Sequence, residues 1–353
     1  MFDVIREIRH QIIREIGIGD GMNSTVYLAF DPYLKRDIAV KEVEKSKLGN
    51  DLDSFCVEAR AMFAAADEHI VPIEYVCETA DKVAFALPYF ANGSLKDRIK
   101  NKPLVLKEFL QLGHGILLGL SRIHASGFLH LDLKPSNILF NDSDRPLIAD
   151  FGQSRKVSAT GIVNSPILYK WSMAPEVIAT NAATAVADIY QLGVLLYRAV
   201  NGESVYALQK SQITTNGDLR NKIDQGRFPD RNTFLPHVPK RIRTIIRKAM
   251  RVNPSERFRS SSDFAAVLGK VNLPLDWETT PLGPGSYRWR AVRSGKTNLQ
   301  VELTEDKSGW MTKVWTTRAG SQRRLKVTAY WREKLKYKEA WKHLTEVFAD
   351  LNQ

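Results

Sequence analysis

Between Ile16 and Phe90 the apolar residues fall into short β-type runs, whereas from Leu104 to Val271 they recur mostly at helical spacing. That segregation is the strongest constraint on what this chain can fold into. The runs TVYLAF, DIAVKEV, IVPIEYV and VAFALPYF predict strands, and SFCVEARAMFAAAD, from Ser54, predicts one helix among them. The stretches FLQLGHGILLGLSRIHAS, DIYQLGVLLYRAV and PKRIRTIIRKAM predict long helices. A sheet with one helix is therefore followed by a helical lobe, and 353 residues suffice for a large two-lobed unit plus a small one.

The small unit announces itself by composition. Pro and Gly become dense in LPLDWETTPLGPGS, which predicts a linker over residues 273–286. Residues 273–353 hold six of the seven Trp and carry 15 basic against 9 acidic side chains, a net charge of +6. The stretches SYRWRAVR, NLQVELT, WMTKVWTT and LKVTAY read as strands, and Trp341, Leu344, Phe348 and Leu351 share one face of a final helix. Six Trp most simply build a small core with a solvated basic face; the competing reading is docking of a protein or nucleic-acid partner.

The stretch FLHLDLKPSNILF, Phe128 to Phe140, sets His130, Asp132, Lys134 and Asn137 among seven large apolar residues. Pro135 cannot continue a ladder, so the polar residues sit on a rigid loop gripped by its apolar neighbours. Buried charges persist where they pair with each other, a metal or a ligand, and this segment alone leaves a plain ion pair open.

Charge and cysteines bound the remaining classes. Lys plus Arg exceeds Asp plus Glu by 51 − 39 = 12, which permits acidic partners. The opening MFDVIREIRH lacks an apolar core of signal-peptide length, and the longest apolar runs are too short to span a bilayer, so a cytoplasmic protein with no membrane contact is expected. Cys56 and Cys77 stand in no metal-binding or disulfide pattern and read as small core residues.

Taken in order, HLDLKPSN, ADFG ending at Gly152 and MAPE ending at Glu176 resemble the catalytic loop, metal-binding motif and activation-segment end of the eukaryotic-like serine/threonine protein kinases of bacteria. The resemblance spans about residues 12–272 and implies a bilobal α+β fold, with an N-lobe over about 12–90 and a C-lobe over about 91–272. The kinase domain is thus expected over 1–272, followed by the linker and a small basic α+β domain over 287–353. The implied activity is transfer of the γ-phosphate of ATP, with Mg2+ or Mn2+, to Ser/Thr hydroxyls of a protein substrate, a bacterial signalling reaction.

The resemblance also implies roles for individual residues. Asp132 accepts the hydroxyl proton, Lys134 steadies the transferred phosphate, and Asn137 with Asp150 holds the metal. Lys41 of IAVK binds the inner phosphates and is held by Glu58. In EIGIGDGMNSTVYLAF the strand-forming TVYLAF after the loop favours a phosphate-covering hairpin over a dinucleotide fold, with the register Gly19, Gly21, Ser24, Val26. Val26 and Ala39 would cover the adenine, and Leu87 to Tyr89 would meet it through backbone groups. His130 is expected to be a packed scaffold residue, Asp188 and Gly193 to be structural, and Glu176 to form a buried ion pair with Arg257.

Departures from the family pattern are equally legible. Ser24 replaces the third glycine, Pro88 an acidic hinge residue, and Leu131 the arginine that usually receives an activation-loop phosphate. NSPILYKWSMAPE is longer than the family's segment, leaving Ser165 and Ser172 both as candidates for the threonine beside Asp132. Three functions compete: a protein Ser/Thr kinase, favoured by the KP after Asp132; a small-molecule phosphotransferase; and a pseudokinase or scaffold whose tail binds a protein or nucleic-acid partner.

Overall fold

Strands β1 (Gln11–Ile18), β2 (Thr25–Asp31), β3 (Arg36–Glu44), β4 (Tyr75–Glu78) and β5 (Lys82–Pro88) pair antiparallel in the order β1-β2-β3-β5-β4. The structure is a computed structural model that describes residues 8–18, 24–48, 52–165, 171–293, 297–318, 321 and 323–352. Alternation in RDIAVKEVE buries Ile38 and Val40 on one face of β3 and turns Lys41 to the other, where Val43 is buried in a separate cluster with Val83 and Phe85. A short helix α1 (Lys45–Leu48) leads to α2 (Leu52–Ala64), whose Ala61 and Met62 enter the main core.

One expected strand is displaced. Of IVPIEYV only Tyr75 and Val76 enter β4, because the backbone at His69 and Val71 bonds to Ile148 of the other lobe instead. Ile70 and Val71 are accordingly buried in the core of the helical lobe.

That lobe contains α3 (Leu95–Ile99) and α4 (Leu106–Ala125), then β6 (Phe128–Leu129), a 3-10 turn at Pro135–Asn137, β7 (Ile138–Phe140) and β8 (Pro146–Ile148). Short strands β9 (Arg155–Lys156) and β10 (Val163–Asn164) precede α5 (Pro175–Thr180), β11 (Ala182–Ala183) and α6 (Ala185–Asn201). Helices α7 (Glu203–Ser211), α8 (Asn216–Asp224), α9 (Lys240–Ala249) and α10 (Ser261–Leu268) complete it. Every residue of α6 from Ala187 to Asn201 is buried, which is why its sequence is apolar nearly all round. Gly193 allows α6 to meet α9: a Cβ there would lie 2.8 Å from Met250 Cγ and 2.9 Å from Ala249 Cβ. The pair expected between Glu176 and Arg257 is present and bidentate, at 2.7 and 2.6 Å.

The tail is a second core beside the first. Strands β12 (Glu278–Gly283), β13 (Ser286–Arg293), β14 (Thr297–Asp306), β15 (Gly309–Arg318) and β16 (Arg324–Lys326) pair in sequence, and β17 (Arg332–Leu335) also pairs with β15. Helix α11 (Tyr337–Leu351) lays Ala340, Leu344, Val347, Phe348 and Leu351 against Trp277, Trp289, Val301 and Val314. Three expectations change here. The stretch read as a linker supplies buried Leu275 and Trp277 and then β12, because its Pro and Gly residues sit in an edge strand and a hairpin turn and not in free chain. LKVTAY is a strand only to Lys326 and turns into a 3-10 helix at Thr328–Tyr330.

The third change concerns the tryptophans. Among the six, Trp277 and Trp289 are fully buried, whereas Trp315 lies on the sheet face opposite Val314, edge-on to Trp331 at 5.3 Å between ring centroids. Lys326 Nζ stands 3.8 Å over the Trp331 ring. Cys77, half-buried on the edge strand β4, packs against the core cluster of Ala29, Ile38, Val40, Ala84 and Ala86; Cys56's side chain lies outside the described residues.

His237 is the seam between tail and helical lobe. It is fully buried, packs between the rings of Trp289 and Phe348, and accepts the Trp289 Nε1–H on Nδ1 at 3.0 Å. That acceptance fixes the proton on Nε2, which faces Thr279 Oγ1 at 3.4 Å. Burial, reinforced by the Arg243 charge, depresses its pKa to about 3, so the ring is neutral.

Candidate active site

Lys41, Glu58 and Asp150 meet between the lobes. Lys41 Nζ lies 2.8 and 2.9 Å from the two Glu58 oxygens and 3.2 Å from Asp150 Oδ1. Burial opposes the Lys41 charge, yet the two carboxylates outweigh it and its pKa lies above the ordinary lysine range. Glu58, buried on α2, is pushed up by desolvation in spite of Lys41. Asp150 is desolvated too, but the lysine holds its carboxyl below the usual range. Phe151, buried after it, packs edge-on to His130 at 5.0 Å between ring centroids.

The second group sits on the loop between β6 and β7. Asp132 Oδ2 lies 2.8 Å from Lys134 Nζ and accepts the Asn137 Nδ2–H at 3.0 Å, which leaves Oδ1 without a protein hydrogen bond among the described residues. Asp132 and Lys134 are thus paired directly, both buried, in the plain ion pair that the segment alone left open. Burial raises the Asp132 pKa, with Lys134 pulling the other way. His130 is committed on both ring nitrogens: Nδ1 accepts the Asp132 N–H and Nε2 faces Ala149 O, each at 3.2 Å, as a scaffold residue should be.

Helix α6 fastens this loop. Asp188 accepts the backbone N–H groups of His130 and Leu131 at 3.0 and 2.7 Å, and its carboxylate also meets His124 Nε2 at 2.8 Å. Gln191 bonds the same loop at Leu131 O and Leu133 N. Neither His124 nor Gln191 was singled out in the sequence. The available signal for Gln191 was a lone amide in an apolar helix, three residues after Asp188 and hence on its face.

Strand pairing places several of the remaining candidates beside Lys41. Val26 is opposite Lys41 across β2 and β3, and Ala39 is opposite Leu87 across β3 and β5, which brings these four side by side. Tyr89 follows β5 and is half-buried. Ser24 is buried, its hydroxyl without a hydrogen-bond partner among the described residues. Gly19 and Gly21 lie outside the described residues. Ser165 and Ser172 are both buried, so burial does not separate the two candidates for the threonine position.

A divalent ion fits the donor chemistry only in part supplied by protein. Asn137 and Asp150 offer hard oxygen ligands, and among the described residues no three His, Cys, Asp or Glu side chains cluster tightly enough to hold a metal alone. No helix among the described residues is long and apolar enough to cross a membrane.

The sequence pattern of the protein kinase domain matches residues 12–265. The serine/threonine-protein kinase PknD of Chlamydia caviae is 30% identical over 308 residues, covering 77% of this chain and 32% of that one. PknK of Mycobacterium tuberculosis is 32% identical over 286 residues (78% and 25%), and PrkC of Bacillus subtilis 30% over 264 (73% and 40%). This chain spans between a quarter and two-fifths of the length of these relatives.

Proposed function

The chain belongs to the protein kinase family, and on that premise we propose that its two-lobed part transfers the γ-phosphate of ATP to Ser/Thr hydroxyls of a protein substrate, with Mg2+ or Mn2+. The observation that carries this reading is the state of Asp132: buried, oriented by Lys134 and Asn137 through Oδ2, and presenting Oδ1 without a protein partner among the described residues. A hydroxyl placed at Oδ1 meets a proton acceptor whose basicity burial has raised.

The other roles follow from the charges. Lys41, fixed by Glu58, presents a permanent cation to the inner phosphates of the nucleotide, while Lys134 steadies the phosphate in transfer. Asn137 and Asp150 would hold the metal, which when bound neutralises phosphate charge. Val26 and Ala39 form an apolar cover for adenine, Leu87 and Tyr89 offer backbone groups to its edge, and the loop of Gly19, Gly21 and Ser24 is assigned to the phosphates. The intact Lys41–Glu58 pair speaks against a scaffold without catalysis, because phosphoryl transfer requires that pair in place. A protein or nucleic-acid partner of the tail, if it is anionic, finds its match in the face that carries Trp315, Trp331, Lys313, Arg324 and Lys326.

The test is phosphate transfer from labelled ATP to a generic protein. Asp132→Asn should fold, bind Mg-ATP and lose roughly 10²- to 10⁴-fold in transfer rate. Wild-type transfer by a purified Asp132→Asn sample would remove the assignment.

A further inference from the structure

The loop that carries Asp132 is fastened to the core by a side chain that the kinase reading leaves without a task. Asp188 and Gln191 leave the same face of α6, and they divide the loop backbone between them. Asp188 takes the N–H groups of His130 and Leu131. Gln191 takes the next stretch: its Nε2–H donates to Leu131 O and its Oε1 accepts the Leu133 N–H, both at 2.8 Å. The amide therefore bridges the carbonyl before Asp132 and the N–H after it.

Only an amide meets this demand. The loop offers one acceptor and one donor, a carboxylate would oppose Leu131 O, and an apolar side chain would leave two buried backbone groups unpaired. Gln191 is 6% exposed, so water cannot readily replace it. Leu131 is moreover held at φ +64°, a left-handed conformation that a leucine keeps only when its surroundings impose it. Releasing one side of that clamp lets the loop relax, and the Asp132 carboxylate turns with it.

We propose that Gln191 is a positioning residue for phosphoryl transfer, setting the Asp132 carboxylate by clamping the backbone on both sides of it. The inference rests on the kinase reading above.

The experiment uses the full chain, Mg-ATP and a generic protein substrate. Gln191→Met preserves length and removes both bonds; it should lower kcat about 10- to 100-fold, the scale of a small misplacement of a reacting group, with the ATP KM within about twofold. Gln191→Glu retains the acceptor for Leu133 N–H and regains a donor toward Leu131 O only when protonated. Its kcat relative to wild type should rise at least about fivefold between pH 8 and pH 6, because burial places that carboxyl high. A role confined to stability would shift the melting temperature and leave that ratio flat. Wild-type kcat in Gln191→Met, or a pH-independent ratio for Gln191→Glu, overturns the inference. Absence of transfer by folded wild type would overturn the kinase reading and this inference with it, whereas transfer by wild type matched by Gln191→Met overturns this inference alone.

Discussion

Acidification from pH 7.5 to pH 5 should loosen the seam at His237. In the folded chain this imidazole accepts the Trp289 Nε1–H and is fully buried, and its pKa falls from the ordinary 6.5 to about 3. Below pH 6.5 the unfolded chain binds a proton that the folded chain refuses, so stability is fully present above 6.5 and is lost as the pH falls toward 3. Each pH unit in that window costs ~1.4 kcal/mol, which amounts to about 2 kcal/mol near pH 5. Glu58 and Asp132, whose carboxyls lie above their usual range, act in the opposite sense, and Asp150 and Asp188, held low, lose stability only in stronger acid. A variant that lacks only the imidazole cancels these terms. His237→Asn keeps an acceptor for the indole N–H and does not titrate. Urea unfolding read by tryptophan fluorescence, which the buried Trp277 and Trp289 report, should show wild type losing ~2 kcal/mol more than His237→Asn between the two pH values. Parallel losses in the two proteins would refute the reasoning.

Three further outcomes follow from the geometry. Glu176→Ala strands the fully buried Arg257 guanidinium and should cost ~3–5 kcal/mol in thermal or urea denaturation; inactivation at unchanged stability would contradict that structural role. Because Leu131 supplies no guanidinium, phosphatase treatment should leave transfer largely intact; abolition of activity, rescued by an acidic residue at Ser158, Thr160 or Ser165, would count against this. Truncation after Val271 strips Trp289 and Phe348 from His237 and removes Tyr287 and Trp341 from the surface of the helical lobe, and should lower its melting temperature; a truncated chain as stable as the full one would mean the seam contributes nothing.

The grouping of the candidate site residues was legible in the sequence because the constraint is local: charged side chains in an apolar loop closed by Pro135 have few tolerable environments. The long helices were readable for a similar reason, since an apolar stripe at helical spacing fixes both conformation and buried face. What the tertiary structure decided is which distant groups satisfy each other. IVPIEYV has strand composition, yet its first residues bond to Ile148 across the lobes, a choice made by chain path and not by propensity. LPLDWETTPLGPGS has linker composition, yet Trp277 is fully buried and the segment beyond it pairs with β13, because an edge strand tolerates proline where a central one does not. Six tryptophans read alike in the sequence, but alternation across β15 sends Val314 inward and Trp315 outward, and register alone separates core from surface. Gln191 and His237 show the same limit: a single polar side chain in an apolar stretch states that a partner exists, and only the packing of α6 on the catalytic loop, and of the tail sheet on the helical lobe, states which one.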